Sequence, residues 1–232
     1  MESRVAEPLI DLRLMRLRGV WTANAASLLA GYSLMAGGLL FPLLVQLPED
    51  TGHGFGGTAT QAALLQLPAS IGMTVAGMTA GLLDRRFGSR AVLFGGALLT
   101  ALGYGYVAFQ HDALWQLYAG SIARGIGLGF AYAAVATLVV AAVPPSETGV
   151  ATGVNTLIRT VGASLGPQIS AVILVMVPGE GGYTGGFAMS AAVMVAVLPL
   201  ALLVPRGRGR RRGGASSEPA AGIETRKTAG RS

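Results

Sequence analysis

Residues 155–168 read NTLIRTVGASLGPQ and hold two features that could do chemistry. Gly162, Ser164 and Gly166 spell G-x-S-x-G, the spacing that presents a nucleophilic serine on a sharp strand-to-helix turn. Three residues before Gly162, Arg159 sets a permanent cation in an otherwise uncharged stretch. Acyl transfer at Ser164 needs a histidine base and an acid to orient it. The chain has 2 histidines, His53 and His111, both in loops, and no carboxylate lies inside an apolar run. The residues before Ser164 continue a helix, not a strand, so catalysis there is set aside. RGIGLGFA (124–131) likewise lacks the third glycine of a dinucleotide fingerprint. No cofactor or metal site is expected, and no acid–base pair supports an enzyme.

Arg159 and Arg124 are the informative residues, and composition says what must position them. The chain is 52% hydrophobic and 12% charged, against about 25% charged in soluble domains. Arg18 to Glu49 and His53 to Asp84 each enclose thirty uncharged residues, Arg90 to His111 twenty, and Glu180 to Arg206 twenty-five. Arg124 is the lone charge between Asp112 and Glu147, and Arg159 the lone charge between Glu147 and Glu180. About 20 apolar residues cross a bilayer's hydrocarbon core. The pattern predicts an all-α membrane protein with six transmembrane helices, near 20–47, 58–83, 91–109, 115–142, 149–177 and 185–204. Cysteine is absent, which removes disulfides and thiolate chemistry.

The net charge of +6 is an orientation signal, not a nucleic-acid footprint. Fifteen of the 17 Lys and Arg residues fall in the N-terminal segment, the second loop or the tail. The positive-inside rule then puts both termini in the cytoplasm of a multi-pass plasma or inner-membrane protein. Residues 1–18 read as a cytoplasmic leader, either amphipathic on the membrane surface or unstructured, with no cleavable signal peptide. Residues 19–205 form the bundle. Residues 206–232 form a basic, disordered tail that serves inside retention or touches anionic lipid.

Arg159 would lie roughly 18 Å from the inner start of its helix, and Arg124 about 14 Å from the outer start of its own. An arginine at that depth costs on the order of 3 kcal/mol, so it faces a cavity, partner or pathway, or is bonded to neighbouring carbonyls. Asn24, Gln46, Gln66, Asn155 and Gln168 also fall in apolar runs and could line the same wet interior or bond a neighbouring helix. Gly77 and Gly81, Gly149 and Gly153, and Gly162 and Gly166 are each four apart, a spacing that lets helix backbones approach in lipid. Pro42, Pro68, Pro167 and Pro199 permit kinks.

Several stretches together resemble one family. GLLDRRFGSR (81–90), between the second and third helices, is similar to the Gly-x-Leu-x-Asp-Arg-x-Gly-x-Arg loop of the major facilitator superfamily. EPLIDLRLMRLRGVWTAN, LLQLPASIGMTVAG, RGIGLGF and VPPSETGVATGVNTLIRTVGASLG resemble, in order, the carboxy-terminal half of the fourteen-helix drug:proton antiporters. The likeness runs to about Pro205. It departs where Arg85 occupies the aspartate position of the loop, with Asp84 one place early.

The resemblance implies one six-helix half of a secondary transporter that exports small amphipathic compounds by proton antiport and alternating access. Gly81, Asp84, Arg85, Arg86, Gly88 and Arg90 would form its inner gate, or simply a tight basic turn. Arg124, Arg159 and Asn155, with Asn24 and Gln46, are the expected cavity wall. Transporters of this kind hold substrate between two halves. The expected partners are therefore the lipid bilayer, protons, a small-molecule substrate, and a complementary six- to eight-helix half or a second copy. A membrane carboxylate for proton coupling is missing here and would come from that partner. The rival reading is a truncated remnant or non-transporting scaffold.

Overall fold

The computed structural model describes residues 17–204. The leader and the basic tail expected from the sequence lie outside them, apart from the last two leader residues. Six helices follow: α1 Arg18–Gln46, α2 Ala59–Phe87, α3 Ser89–Phe109, α4 Leu114–Ala142, α5 Thr148–Met176 and α6 Glu180–Leu203. All are long and apolar enough to cross a membrane. A 29-residue helix such as α2 is about 43 Å long, so its ends reach beyond a hydrocarbon core of about 30 Å. The prolines Pro42, Pro68, Pro167 and Pro199 all lie inside helices that continue through them.

Two ends differ from expectation. The apolar run of α2 stops at Asp84, yet the helix continues to Phe87. Charged side chains end a hydropathy run without ending a helix whose last turn lies among polar headgroups, and cations there suit the helix C-terminus. The expected loop at 81–90 therefore reduces to Gly88, whose φ of 83° a glycine adopts without strain. Helix α6 begins five residues earlier than expected, at Glu180. At the start of α2, Thr58 and Gln61 form a reciprocal cap: the Gln61 N–H donates to Thr58 Oγ1 (3.3 Å) and the Thr58 N–H to Gln61 Oε1 (2.8 Å).

The helices form two interleaved triplets. The main partner of α1 is α5 and that of α2 is α4, so the leading helix of each triplet grips the middle helix of the other; α3 packs on α4 and α6. Each triplet has three helices, so the second crosses in the opposite sense to the first, an inverted repeat. Glycine sets these seams. In α5, Gly162 and Gly166 lie directly on the Leu28 and Tyr32 carbonyls of α1, with no room for a Cβ. In α4, Gly125 and Gly129 lie in the same way on Ala69 and Met73 of α2. A Cβ on Gly96 would stand 2.6 Å from the Gly127 carbonyl, and one on Gly103 2.8 Å from that of Gly120, so α3 and α4 also meet backbone to backbone.

The other glycine pairs behave differently. A Cβ at Gly77, Gly81, Gly149 or Gly153 would meet nothing within 4 Å among the described residues. Within the described bundle these four glycines pack against no other helix, and the faces of α2 and α5 that carry them are left open. These two helices are also the least covered of the six. Large apolar side chains stand out along them, Leu67, Ile71, Val75 and Met78 on α2 and Leu157, Val161 and Val175 on α5.

A substitution pair tests the seams. Gly162→Ala should lower stability by about 2 kcal/mol through overpacking. Gly153→Ala should change it by less than about 0.5 kcal/mol or raise it slightly. Thermal unfolding of the two purified variants in nanodiscs checks the contrast, and equal losses would contradict it.

Candidate functional site

Arg124 sits one-third of the way along α4 with 4% of its surface exposed. Its Nη1 donates to the Leu34 carbonyl of α1 at 3.3 Å, and its Nη2 to Gln66 Oε1 of α2 at 3.0 Å. The guanidinium lies 5.3 Å from the Phe41 ring centre and 6.0 Å from that of Tyr104. Tyr104 is fixed in turn by donating its hydroxyl to the Ser33 carbonyl. The missing side chain of Gly37 leaves the space that Tyr104 and Arg124 occupy. Ring faces and two acceptors thus stabilise a cation that has no carboxylate beside it, each desolvated ring contact contributing up to about 2 kcal/mol. Nε alone is without an acceptor. Arg124 was expected to border an open cavity; its own bundle seals it.

Arg159 lies at similar depth on α5, eleven residues from Thr148, but on the other side of that distinction. It is half-buried, with its guanidinium 5.3 Å from the centre of the Tyr132 ring. Tyr132 is held by donating its hydroxyl to the Ala30 carbonyl at 3.1 Å. Arg159 makes no hydrogen bond or ion pair with any described residue, and the exposed Leu157 and Val161 flank it in sequence. The described carboxylates are Glu49, Asp50, Asp84, Asp112, Glu147 and Glu180, all in loops or at helix ends. The bundle therefore offers a cation at mid-depth and no anion to match it.

The expected amides part company. Asn155 on α5 donates to Asn24 Oδ1 and to Ser27 Oγ on α1, both at 2.8 Å, and all three are buried. They form a polar clamp across the α1–α5 seam, not the wall of an open cavity. Gln46 is exposed at the end of α1 and donates to its own helix at the Pro42 carbonyl, 3.0 Å away; it joins neither arginine. Gln168 is exposed, whereas Gln66 is the acceptor of Arg124. Phe41, Tyr104 and Tyr132, which decide where the two arginines settle, escaped the sequence reading. They come from three different helices, and no spacing links them to Arg124 or Arg159.

Near the α2–α3 corner, Ser89 Oγ donates to Asp84 Oδ1 at 2.5 Å, tying the two helices across Gly88. Arg86 lies over the Phe87 ring at 5.4 Å. Arg85, Arg86 and Arg90 form no ion pair with the described residues. Ser164 is exposed and donates to the Val161 carbonyl at 2.8 Å. His111 is buried at the opposite end of the bundle, with Nδ1 2.9 Å from the Val107 carbonyl and Nε2 3.6 Å from Glu180. A nucleophile elbow is not formed.

The sequence profile of the Major Facilitator Superfamily matches residues 25–230. The chain belongs to this superfamily. Among its relatives, a probable actinorhodin transporter of Streptomyces coelicolor is 31% identical over 72% of this chain and 29% of its own length. A cephamycin export protein of Amycolatopsis lactamdurans is 30% identical over 78% and 36%. A methyl viologen resistance protein of Salmonella typhimurium is 27% identical over 73% and 33%. The chain thus spans about a third of the length of the curated relatives it matches. A solved POT family transporter shares the fold, with a TM-score of 0.72 at 18% identity over 83% of this chain and 39% of that one. A peptide transporter crystallised with alafosfalin gives 0.70 at 19% identity. This superfamily chain is a multi-pass membrane protein, with six helices among the described residues long and apolar enough to span.

The two arginines separate in a stability measurement. Arg124→Ala should lower the unfolding midpoint, with a loss of about 2–4 kcal/mol from the emptied space and the lost ring contacts. Arg159→Ala should stay within about 0.5 kcal/mol of the parent. Thermal scanning in detergent checks this, and an equal loss at both positions would contradict it.

Proposed function

We propose that this bundle is one half of a secondary transporter that exports small amphipathic compounds in exchange for protons. The single observation that carries the reading is the exposed surface of α2 and α5, where large apolar side chains are interspersed with Ser70 and Thr74 on α2 and with Thr156, Thr160, Ser164 and Gln168 on α5, together with a half-buried Arg159 that has no counter-charge among the described residues. A second bundle laid on that face would enclose a central cavity, the architecture in which such transporters bind substrate at the midplane. Membership of the superfamily supports transport. The names of the relatives, which concern antibiotic export and resistance, support drug-like cargo.

The division of labour follows from charge. Proton antiport needs a carboxylate that loads and releases a proton at depth, and no described helix carries one away from its ends. The second bundle would supply it, on the same or another polypeptide. Arg159 would then attract that carboxylate, hold its pKa down when near it, and let it take a proton when the halves move apart. Alternating access would be a rocking of the two bundles, with the α2–α3 corner at Gly88 as inner gate and both termini in the cytoplasm. The scaffold reading draws on the sealing of Arg124 and Asn155 inside the bundle, which suits a static unit as well as a moving one.

In cells that depend on the assembled transporter for resistance, Arg159→Leu should abolish resistance at unchanged membrane abundance, and Arg159→Lys should retain part of it. Full resistance with Arg159→Leu would overturn the role assigned here. The purified chain alone in liposomes should show no export driven by a pH gradient, and robust export by the strict monomer would refute the half-transporter reading.

A further inference from the structure

Helices α2 and α3 are joined through Gly88 alone, and each packs more closely on α4 than on the other. The wedge between them is a cleft of about 270 Å³, with Leu83 and Phe87 on one wall, Val92, Gly95 and Leu99 on the other, and Phe130 of α4 as its floor. Gly95 borders open space, since a Cβ there would meet nothing within 4 Å. From Ala91 to Leu99 the cleft follows α3 for about 12 Å. That length is somewhat under half of a hydrocarbon core about 30 Å thick, so it lies within one leaflet.

The rim has the opposite chemistry. Arg85, Arg86 and Arg90 stand beside the closed end of the wedge, where, among the residues described from Leu83 to Leu99, Asp84 is the only carboxylate and accepts the Ser89 hydroxyl. None of the three arginines forms an ion pair with a described residue. Arg86 lies 5.4 Å over the Phe87 ring, and Phe87 lines the cleft, so a cation sits at that end of it. Among the residues described from Leu83 to Leu99, three arginines against one engaged acid leave a surplus of two positive charges beside an apolar slot. An unpaired basic cluster at headgroup level attracts anionic lipid.

We propose that this cleft is a binding site for one anionic phospholipid, with an acyl chain between α2 and α3 and the phosphate held by Arg86 and Arg90. The site is separate from the α2–α5 face, and the proposal is independent of the transport reading. A bound lipid fills the wedge and neutralises the corner, so it would also brace α2 against α3.

The test is native mass spectrometry of the full chain with phosphatidylglycerol and with phosphatidylcholine of identical acyl chains. The parent should retain a single phosphatidylglycerol on the order of tenfold more tightly than phosphatidylcholine. Arg86→Gln combined with Arg90→Gln should reduce phosphatidylglycerol to the level of phosphatidylcholine. Gly95→Leu, which fills the cleft from an open position, should weaken both lipids, whereas Gly105→Leu, at an equally open position on the same helix, should weaken neither. Equal retention of the two lipids by the parent, a preference that survives in the double glutamine variant, or unchanged binding in Gly95→Leu would each overturn the proposal.

Discussion

Lipid removes the force that assembles most proteins. An apolar side chain gains little by leaving hydrocarbon for the side of another helix, so membrane helices associate through close packing and polar contacts. This bundle meets that constraint at its backbones. Gly162 and Gly166 bring α5 onto α1, Gly125 and Gly129 bring α4 onto α2, and Gly96, Gly103, Gly120 and Gly127 bring α3 onto α4. The Asn24–Ser27–Asn155 cluster adds hydrogen bonds at one of those seams. The helices so joined form a unit that can move as one body, and the faces left without a glycine seam are the faces open to something else.

The same low dielectric divides two arginines that each lie ten or eleven residues into their own helix. Arg124 has two ring faces and two acceptors supplied by α1, α2 and α3, and is withdrawn from every surface. Arg159 has one ring, Tyr132, and no acceptor among the described residues. A cation left in that condition gains from any anion that approaches, whether a carboxylate or a substrate. The difference lies in the surroundings and not in the residue, which is why one reads as architecture and the other as a site.

The six helices were legible because charge is costly in lipid, so its spacing marks the spans directly. Helix ends were less so: the run of α2 stops at Asp84, but its last turn belongs to the headgroup layer and stays helical to Phe87. The glycine seams were legible only in part. The four-residue spacing occurs at Gly162 and Gly166 on a seam and equally at Gly149 and Gly153 facing outward, because spacing marks one helix face without saying what that face meets. The seven-residue spacings of Gly96 with Gly103 and Gly120 with Gly127, two turns each, were a usable signal that went unread. Which arginine is sealed was not readable at all, since Phe41 and Tyr104 reach Arg124 from other helices, at separations in the chain that mark no contact.

The account turns on the assignment of the α2–α5 face to a second helical bundle and of the remaining exposed apolar surface to lipid. Photo-crosslinking side chains placed at Ile71 of α2, Leu157 of α5 and Leu102 of α3, all exposed in this bundle, measure that assignment in intact cell membranes. The account predicts that positions 71 and 157 capture membrane helices of a second bundle, in the same polypeptide, another one or a second copy, while position 102 captures lipid alone. Lipid adducts alone from all three positions would contradict it.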